Sequence, residues 1–547
     1  MYWFISPPGW GLALWCLSML LILLGGWLLA THVTSLDSGE RVLAGFGLGL
    51  ITYIWIVNWL GRILPPHWAF SLSALVVVLF GLLSALPIRG RWLDLNDLRI
   101  GPWVIAGVAL FWIFLRISKG TGLFDETSNL ATISTIANGQ IPVRAYFGSA
   151  ALHRYHYAFH YIGAGMMQLA RFTPWSAFDL SKSIAWSLSI LLVGLVGRRY
   201  VRGPHGPVLL AGAFTLAGGS RWLLLLLPSN WLTAIEHHVH LTGIASGTLS
   251  AALSAPLPME LSPPIGYPFA YLSGIQQSFV MAHGGYQTFE PVLLMLAVLL
   301  FDRAPRRYGI ALYALFFSLW ALASETSFVL VALSLLLLAA FRYFRAGRKW
   351  EAGHPLNAPL IGLALAIPFI LLQGGVIGSM AQQVVFNTPV TGPINGDRAV
   401  GLLGFYLRWP PAILSGQLGS LPLTDPLAVF VGLLEMGIAV VMLPWCTWRW
   451  WRGHRDSWPQ ALLLLIAWLG ILIPVFVAWV SDSNMTHISE FGLHTSVILL
   501  VLMLAPREQN SPALTRAFEW TGSILLALTL VPGIVLLGIQ LTAGPIV

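Results

Sequence analysis

The sequence predicts an all-α polytopic membrane protein of about 13–15 transmembrane helices, with long external loops that carry short interfacial helices. Three observations point there. Of the 547 residues, 57% are hydrophobic and only 9% are charged, against roughly a quarter charged in an average soluble domain. Apolar runs of about 20 residues recur, the length at which a helix crosses hydrocarbon with its backbone bonded inside the segment. Basic residues fall in short clusters between those runs, the arrangement that orients membrane proteins.

The apolar runs place about fourteen spans, near 10–30, 42–60, 67–86, 102–118, 178–197, 207–227, 287–301, 308–322, 326–341, 357–374, 426–445, 459–480, 491–505 and 517–540. Clusters at Arg89, Arg91 and Arg99, at Arg198, Arg199 and Arg202, at Arg303, Arg306 and Arg307, at Arg342, Arg345, Arg348 and Lys349, and at Arg449, Arg452 and Arg455 mark cytoplasmic loops. Consistent parity then requires that 155–172, which carries His156, His160 and Gln168, be an interfacial or re-entrant helix. The chain accordingly divides into N-terminal spans over 1–118, a first large external loop over 119–177, a central bundle over 178–374 with an external loop at 228–286, an external loop over 375–425, and C-terminal spans over 426–547.

Composition also excludes several classes. The formal charge of +8 is spread over loop clusters, unlike the stripe on a soluble domain that marks a nucleic-acid partner. Cys16 and Cys446 are the only cysteines and lie far apart, so no disulfide framework or cysteine metal site is implied. The start, Met1 to Trp10, lacks the basic region of a cleavable signal, so the first apolar run is expected to remain as a span.

Candidate chemistry concentrates on the external loops. Asp125 and Glu126 follow a span directly, where a carboxylate faces the bundle yet stays near water. Partial burial there raises a carboxyl toward the working range of a general base, while the bland alternative is a solvated, acidic helix N-terminus. His153, His156 and His160 lie three and four apart, which on a helix puts them on one face able to bind phosphate, hold a metal or line a proton path, or else in an aromatic interfacial belt. His237, His238, His240 and His283 lie in the 228–286 connection. His487, Glu490 and His494 have helical spacing without being a zinc signature, and a structural polar cluster is the favoured reading. Glu325, between two apolar runs, is read as a helix cap. Cations able to hold a lipid phosphate are Lys119, Arg144, Arg154, Arg171, Lys182, Arg221, Arg398 and Arg408; Arg398 sits in a polar, turn-rich run.

The run Phe124-Asp125-Glu126, then Asn138-Gly139-Gln140-Ile141-Pro142, then Tyr155-His156-Tyr157-Ala158-Phe159-His160 resembles the GT-C superfamily of membrane glycosyltransferases, uncharacterised bacterial members included. The likeness covers roughly residues 100–300 at the level of motifs. It departs at Thr127-Ser128-Asn129, where many relatives place a His after the acid pair, and in having three spans before the motif instead of one. The resemblance implies an inverting transfer of a sugar from a polyprenyl-phosphate-linked donor at the external face of a bacterial plasma membrane. In that scheme Asp125 is the base and Glu126 its partner or a metal ligand. Arg154, His156, His160, His283 and Arg398 are then the candidates for the lipid phosphate. A divalent metal is compatible with this scheme though not indicated by the residues, and cofactors are otherwise left open; membrane lipids and the lipid-linked donor are the expected partners, with other membrane proteins besides. Two other classes compete: a transporter or lipid-handling protein, whose signature is acids on broken spans in matching halves, and a non-catalytic subunit of a larger membrane complex.

Overall fold

The computed structural model describes residues 8–86, 95–98, 100–118, 126–144, 152–201, 203–240, 247–254, 256–259, 262–266, 286–303, 305–306, 308–349, 351, 353–386, 390–391, 405–415, 418–453, 457–479, 482–505 and 513–542. Helix accounts for 79% of it, which makes the protein an all-α membrane-type bundle.

In chain order the helices are α1 (Gly9–Val33), α2 (Arg41–Leu60), α3 (Pro66–Ala85), α4 (Gly101–Ser118), α5 (Glu126–Ala137), α6 (His160–Ala170), α7 (Pro174–Tyr200), α8 (Gly206–Leu216), α9 (Ser229–Glu236) and α10 (Leu249–Ser254). They continue as α11 (Glu290–Phe301), α12 (Gly309–Ala323), α13 (Glu325–Arg345), α14 (Asn357–Leu372), α15 (Gly375–Phe386), α16 (Pro426–Met436), α17 (Leu443–Gly453), α18 (Trp458–Phe476), α19 (Asp482–Leu504) and α20 (Ala513–Thr542). Among the described residues, nine helices are long and apolar enough to cross a membrane, or eleven if each of two bent pairs counts as one crossing. Every apolar stretch picked out in the sequence falls on one of these or on a shorter apolar helix. The stretches at 207–227, 287–301 and 308–322 are helices of only 11, 12 and 15 residues. At about 1.5 Å per residue they reach roughly 17–23 Å, short of a ~30 Å hydrocarbon core.

The bent pairs have local causes. α14 and α15 meet at 67° across Gly374 and Gly375, whose φ values of 93° and 73° suit residues without a Cβ. α16 and the segment that follows it meet at 102°, across Gly437 at φ 95°. The loops hold what helix reasoning alone does not foresee, four two-stranded ladders among the described residues. β1 (Leu152–His153) runs parallel to β4 (Val390–Thr391); β2 (Pro256–Met259) pairs with β3 (Ser262–Gly266), β5 (Phe405–Leu407) with β8 (Val477–Trp479), and β6 (Ala412–Ser415) with β7 (Gly419–Pro422), all antiparallel. Ladders of two to five residues are too short to leave an alternating trace in the sequence.

The chain packs as two compact units. The first holds residues 1–192, 284–393 and 547; the second holds 193–283 and 394–546. In the first, α1 lies tightly on α2 and α3 because glycine lines the crossings: a Cβ on Gly26 would collide with the Gly45 carbonyl oxygen, one on Gly49 with that of Ile22, and one on Gly25 would come within 2.6 Å of the Val77 backbone. Close backbone approach through small residues replaces the hydrophobic drive that lipid removes. In the second unit, α18 and α19 cross in the same way at Gly470 and Gly492.

Candidate functional site

Of the candidate site residues the sequence singles out, Lys119, Asp125, His283 and Arg398 lie outside the described residues, as does the Glu126 side chain; Glu126 is the first residue of α5. The rest of the proposed cluster belongs to the first unit. One turn into α5, buried Asn129 accepts at Oδ1 from His160 Nε2 at 2.8 Å and from the Tyr155 hydroxyl at 3.2 Å. The opening turn of α5 is thereby tied to both ends of the Tyr-His segment. Gly163 lets the helices close around this seam, since a Cβ there would meet Ile133 of α5 at 3.2 Å and Ser181 of α7 at 3.3 Å.

The Tyr-His segment is not the helix its three-and-four spacing predicts. Residues 152–153 form β1, and helix begins only at His160. Burial alternates accordingly: His153, Tyr155 and Tyr157 are buried, while Arg154 and His156 are half-buried. The three histidines therefore share no helical face. The helical spacing fails because β1 pairs with β4 and the chain beyond it is irregular, bending at Tyr155, whose ring stacks on His153 at 5.3 Å and lies tilted to His156 at 4.2 Å.

Chemically the three histidines diverge. Burial, with charge on His156 second, pushes the His153 imidazole down to about 4. Burial likewise, with His156 next, takes His160 down to about 3, while a backbone contact to Tyr157 opposes the shift. Both stay neutral at physiological pH. His160, stacked on Phe178 with 6.1 Å between centroids, serves as an internal N–H donor to Asn129 and brings no charge to a phosphate. His156 has a carboxylate instead, with Nδ1 lying 3.4 Å from Glu325 Oε2. Beside it, Arg154 donates to Gln383 Oε1 of α15.

A second polar group holds the break between α14 and α15. The Gln373 carbonyl accepts from Tyr157 Oη at 3.2 Å, from Asn58 Nδ2 at 3.4 Å and from the Arg62 guanidinium, which also reaches the Leu372 carbonyl at 2.9 Å. Tyr161 Oη donates to Asn58 Oδ1 at 2.8 Å, and the Gln373 amide exchanges bonds with Ser318 at 2.7 and 2.8 Å. Carbonyls freed at a helix break thus find donors without water. Burial, the largest influence, raises the Tyr157 phenol to about 12, so it acts there as a neutral donor.

Several expected phosphate ligands are occupied internally. Lys182 is fully buried, with Nζ 3.1 Å from Asp179 Oδ1 and over the Phe178 ring. In the second unit Arg221 is buried against Glu435 at 3.4 Å, and buried Arg408 donates to the Pro474 carbonyl at 3.3 Å. His238 pairs with Asp425, which caps α16 through the amides of Leu427 and Ala428; the hydrogen bond with His238 is the main reason its carboxyl lies below the usual range. His487 Nδ1 lies 3.2 Å from Glu490 while the His494 ring packs on Phe214, and no group of three metal-binding side chains occurs among the described residues.

The sequence reasoning passed over Asn58, Arg62, Asn129, Tyr161, Gln373 and Gln383 as site residues. Two carried a readable signal: Asn129 stands one helical turn after the acid pair, and the Gln373-Gly374-Gly375 run interrupts an apolar stretch where a span should continue. No protein-family model matches the chain, and no curated protein matches it in sequence.

Proposed function

We propose that this protein is a membrane glycosyltransferase that moves a sugar from a polyprenyl-phosphate-linked donor to an acceptor at the external face of a bacterial plasma membrane. The observation that carries the reading is the Asn129 junction. The helix that opens at Glu126, directly after Asp125, is bonded, one turn in, to both Tyr155 and His160. That contact supports a common site for two sequence stretches that separately resemble one enzyme class. Asp125 takes the acceptor proton, Glu126 assists it, and Arg154 and His156 face the donor phosphate. His160 holds the scaffold. In the membrane, the fourteen apolar stretches act as crossings, the short and bent ones completing their passage inside the bundle, where irregular backbone is satisfied by protein.

The test is transfer by purified protein in nanodiscs supplied with polyprenyl-phosphate sugars. Asp125→Asn lowers transfer by roughly 10²–10⁴-fold, the range of a lost general base, with expression and thermal stability unchanged. Full activity in that variant removes the assignment.

One observation favours a second reading, transport or lipid handling. Each compact unit contains a broken apolar helix pair, and the break in the second carries a fully buried Arg221–Glu435 pair to which Ser415 donates at 2.7 Å. Ionisable groups at broken spans mark substrate paths in transporters. Proteoliposome flux of a lipid-linked sugar without glycosyl transfer selects this reading over the first.

A further inference from the structure

The second unit carries, near its C-terminal end, a face that the glycosyl-transfer reading does not use. α20 is 30 residues long, about 45 Å at 1.5 Å per residue, against a hydrocarbon core of ~30 Å. Part of it must therefore stand outside the hydrocarbon. No charged residue occurs from Thr521 to Thr542, a stretch of about 33 Å that fills the core by itself, so Arg516, Glu519 and Trp520 fall at headgroup level. α17 is fixed at the same level, because Arg449 donates to Glu519 Oε1 at 2.6 Å.

α17 also has the direction and composition of an interfacial helix. The segment from Ile438 to Gly453 turns 102° away from α16, so the two cannot both follow the membrane normal. Four of the eleven residues of α17 are tryptophan and two are arginine, which makes it the limb suited to lie along the interface. Its inner side is pinned: Thr447 accepts from Trp468 Nε1 of α18 at 2.9 Å, and Trp450 Nε1 donates to the Ser457 carbonyl at 3.4 Å. Its outer side presents Trp448, Trp451 and Arg452, all exposed.

Two cations on this face lack an internal acceptor. Arg303 is paired with Asp37 and Arg342 with Glu351, but among the described residues nothing accepts from Arg452, whose guanidinium is held over the Trp448 indole, 4.8 Å from the ring centroid. Stacking occupies a face of the guanidinium and leaves its N–H edge for phosphate oxygens. Arg516, one turn before Trp520 and exposed like it, has no acceptor among the described residues either. Beyond Trp520 the outer side of α20 is apolar and exposed at Ile524, Ile534 and Leu541. Cations followed by an exposed apolar strip match the build of a phospholipid, an anionic head and then acyl chains, whereas an acidic soluble partner would leave the strip uncovered.

We propose that Trp448, Trp451 and Arg452 of α17, with Arg516 and Trp520 of α20, form a docking surface for an anionic glycerophospholipid. The two arginines meet its phosphate, the indoles sit among the headgroups, and its acyl chains run along the exposed side of α20. The surface requires only that the protein lie in a bilayer, and it stands whether or not the protein transfers sugar.

The experiment titrates full-length, delipidated protein in detergent with dioleoylphosphatidylglycerol and, separately, with dioleoylphosphatidylcholine, which has the same chains and no net charge. Binding is read by native mass spectrometry, with thermal unfolding in parallel. Wild type should prefer phosphatidylglycerol by about 25-fold, about fivefold from each arginine. Arg452→Gln and Arg516→Gln should each lower phosphatidylglycerol affinity about fivefold, with phosphatidylcholine binding and the unfolding temperature at their wild-type values. Arg348→Gln, which removes an exposed arginine of the first unit, should leave phosphatidylglycerol binding unchanged. Equal affinity of the wild type for the two lipids overturns the proposal. So does a loss in Arg348→Gln as large as that in Arg452→Gln, which would make the preference a matter of overall charge. Neither outcome touches the glycosyl-transfer reading.

Discussion

Acidification from about pH 8 to about pH 5 removes about 4 kcal/mol of stability through two histidines of the Tyr-His segment. His160 titrates at about 3 and His153 at about 4 in the folded protein, both pushed down from 6.5 chiefly by burial. Unfolded, each returns to its ordinary value. Between the two limits the unfolded chain takes up protons that the native state refuses. The contribution is therefore fully present above 6.5 and is lost progressively as pH falls toward the folded values. At about pH 5 the unfolded histidine is already protonated with some 1.5 units to spare; at about 1.4 kcal/mol per unit this amounts to about 2 kcal/mol for each residue. Denaturant unfolding in detergent micelles at both pH values provides the measurement. His160→Gln isolates one share, because a Gln amide keeps an N–H donor near the Nε2 position while removing the titration. Wild type should lose about 2 kcal/mol more than His160→Gln over that interval. Parallel losses, within about 0.5 kcal/mol, would refute the claim that His160 is buried neutral.

Two further outcomes test the scaffold. Asn129→Ala leaves the buried His160 N–H and Tyr155 hydroxyl without their shared acceptor and should cost about 2–4 kcal/mol, while Tyr155→Phe, which removes one of the two donors, costs about 1 kcal/mol; equal losses in the same unfolding assay contradict the junction. Gly26→Leu forces a side chain into the Gly45 carbonyl across the α1–α2 crossing and should cost more than about 3 kcal/mol or abolish folded yield, read by size-exclusion chromatography of the solubilised protein.

How much was legible differs between fold and site for physical reasons. Hydropathy reports directly on solvent, so the spans at 10–30, 42–60 and 67–86 correspond closely to α1, α2 and α3. It does not report on breaks. The 357–374 stretch reads as one crossing, but the tandem glycines at 374 and 375 turn the chain, and the next twelve residues, assigned to a loop, form the second limb α15. The site was legible as a set of residue types and illegible as geometry. His153, His156 and His160 fit a helical spacing numerically; the pairing of β1 with residues some 240 positions later holds the start of the stretch out of a helix, and pairing over that distance leaves no mark on a local pattern. Glu325 was read as a cap because an acid at a helix start usually suffices as an explanation. The better cap, Ser324, was its immediate neighbour.

The break and the site are not independent features. A bent span exposes carbonyls that a straight helix would bond internally, and inside lipid these must be met by protein donors. Arg62, Asn58 and Tyr157 supply them at Gln373, and Tyr157 belongs to the same segment that carries Arg154 and His156. The turn at Gly374 then directs α15 so that Gln383 reaches Arg154 and β4 reaches β1. A straight continuation of α14 would leave Arg154 without its Gln383 partner and β1 without its ladder. The polar residues around the break therefore do structural work whose product is the orientation of the two half-buried basic groups. Tyr157, Asn58 and Arg62, at positions where leucine would bury without needing partners, thus supply the donors this break requires, and conservative changes at Tyr157 or Asn58 should register in the placement of Arg154.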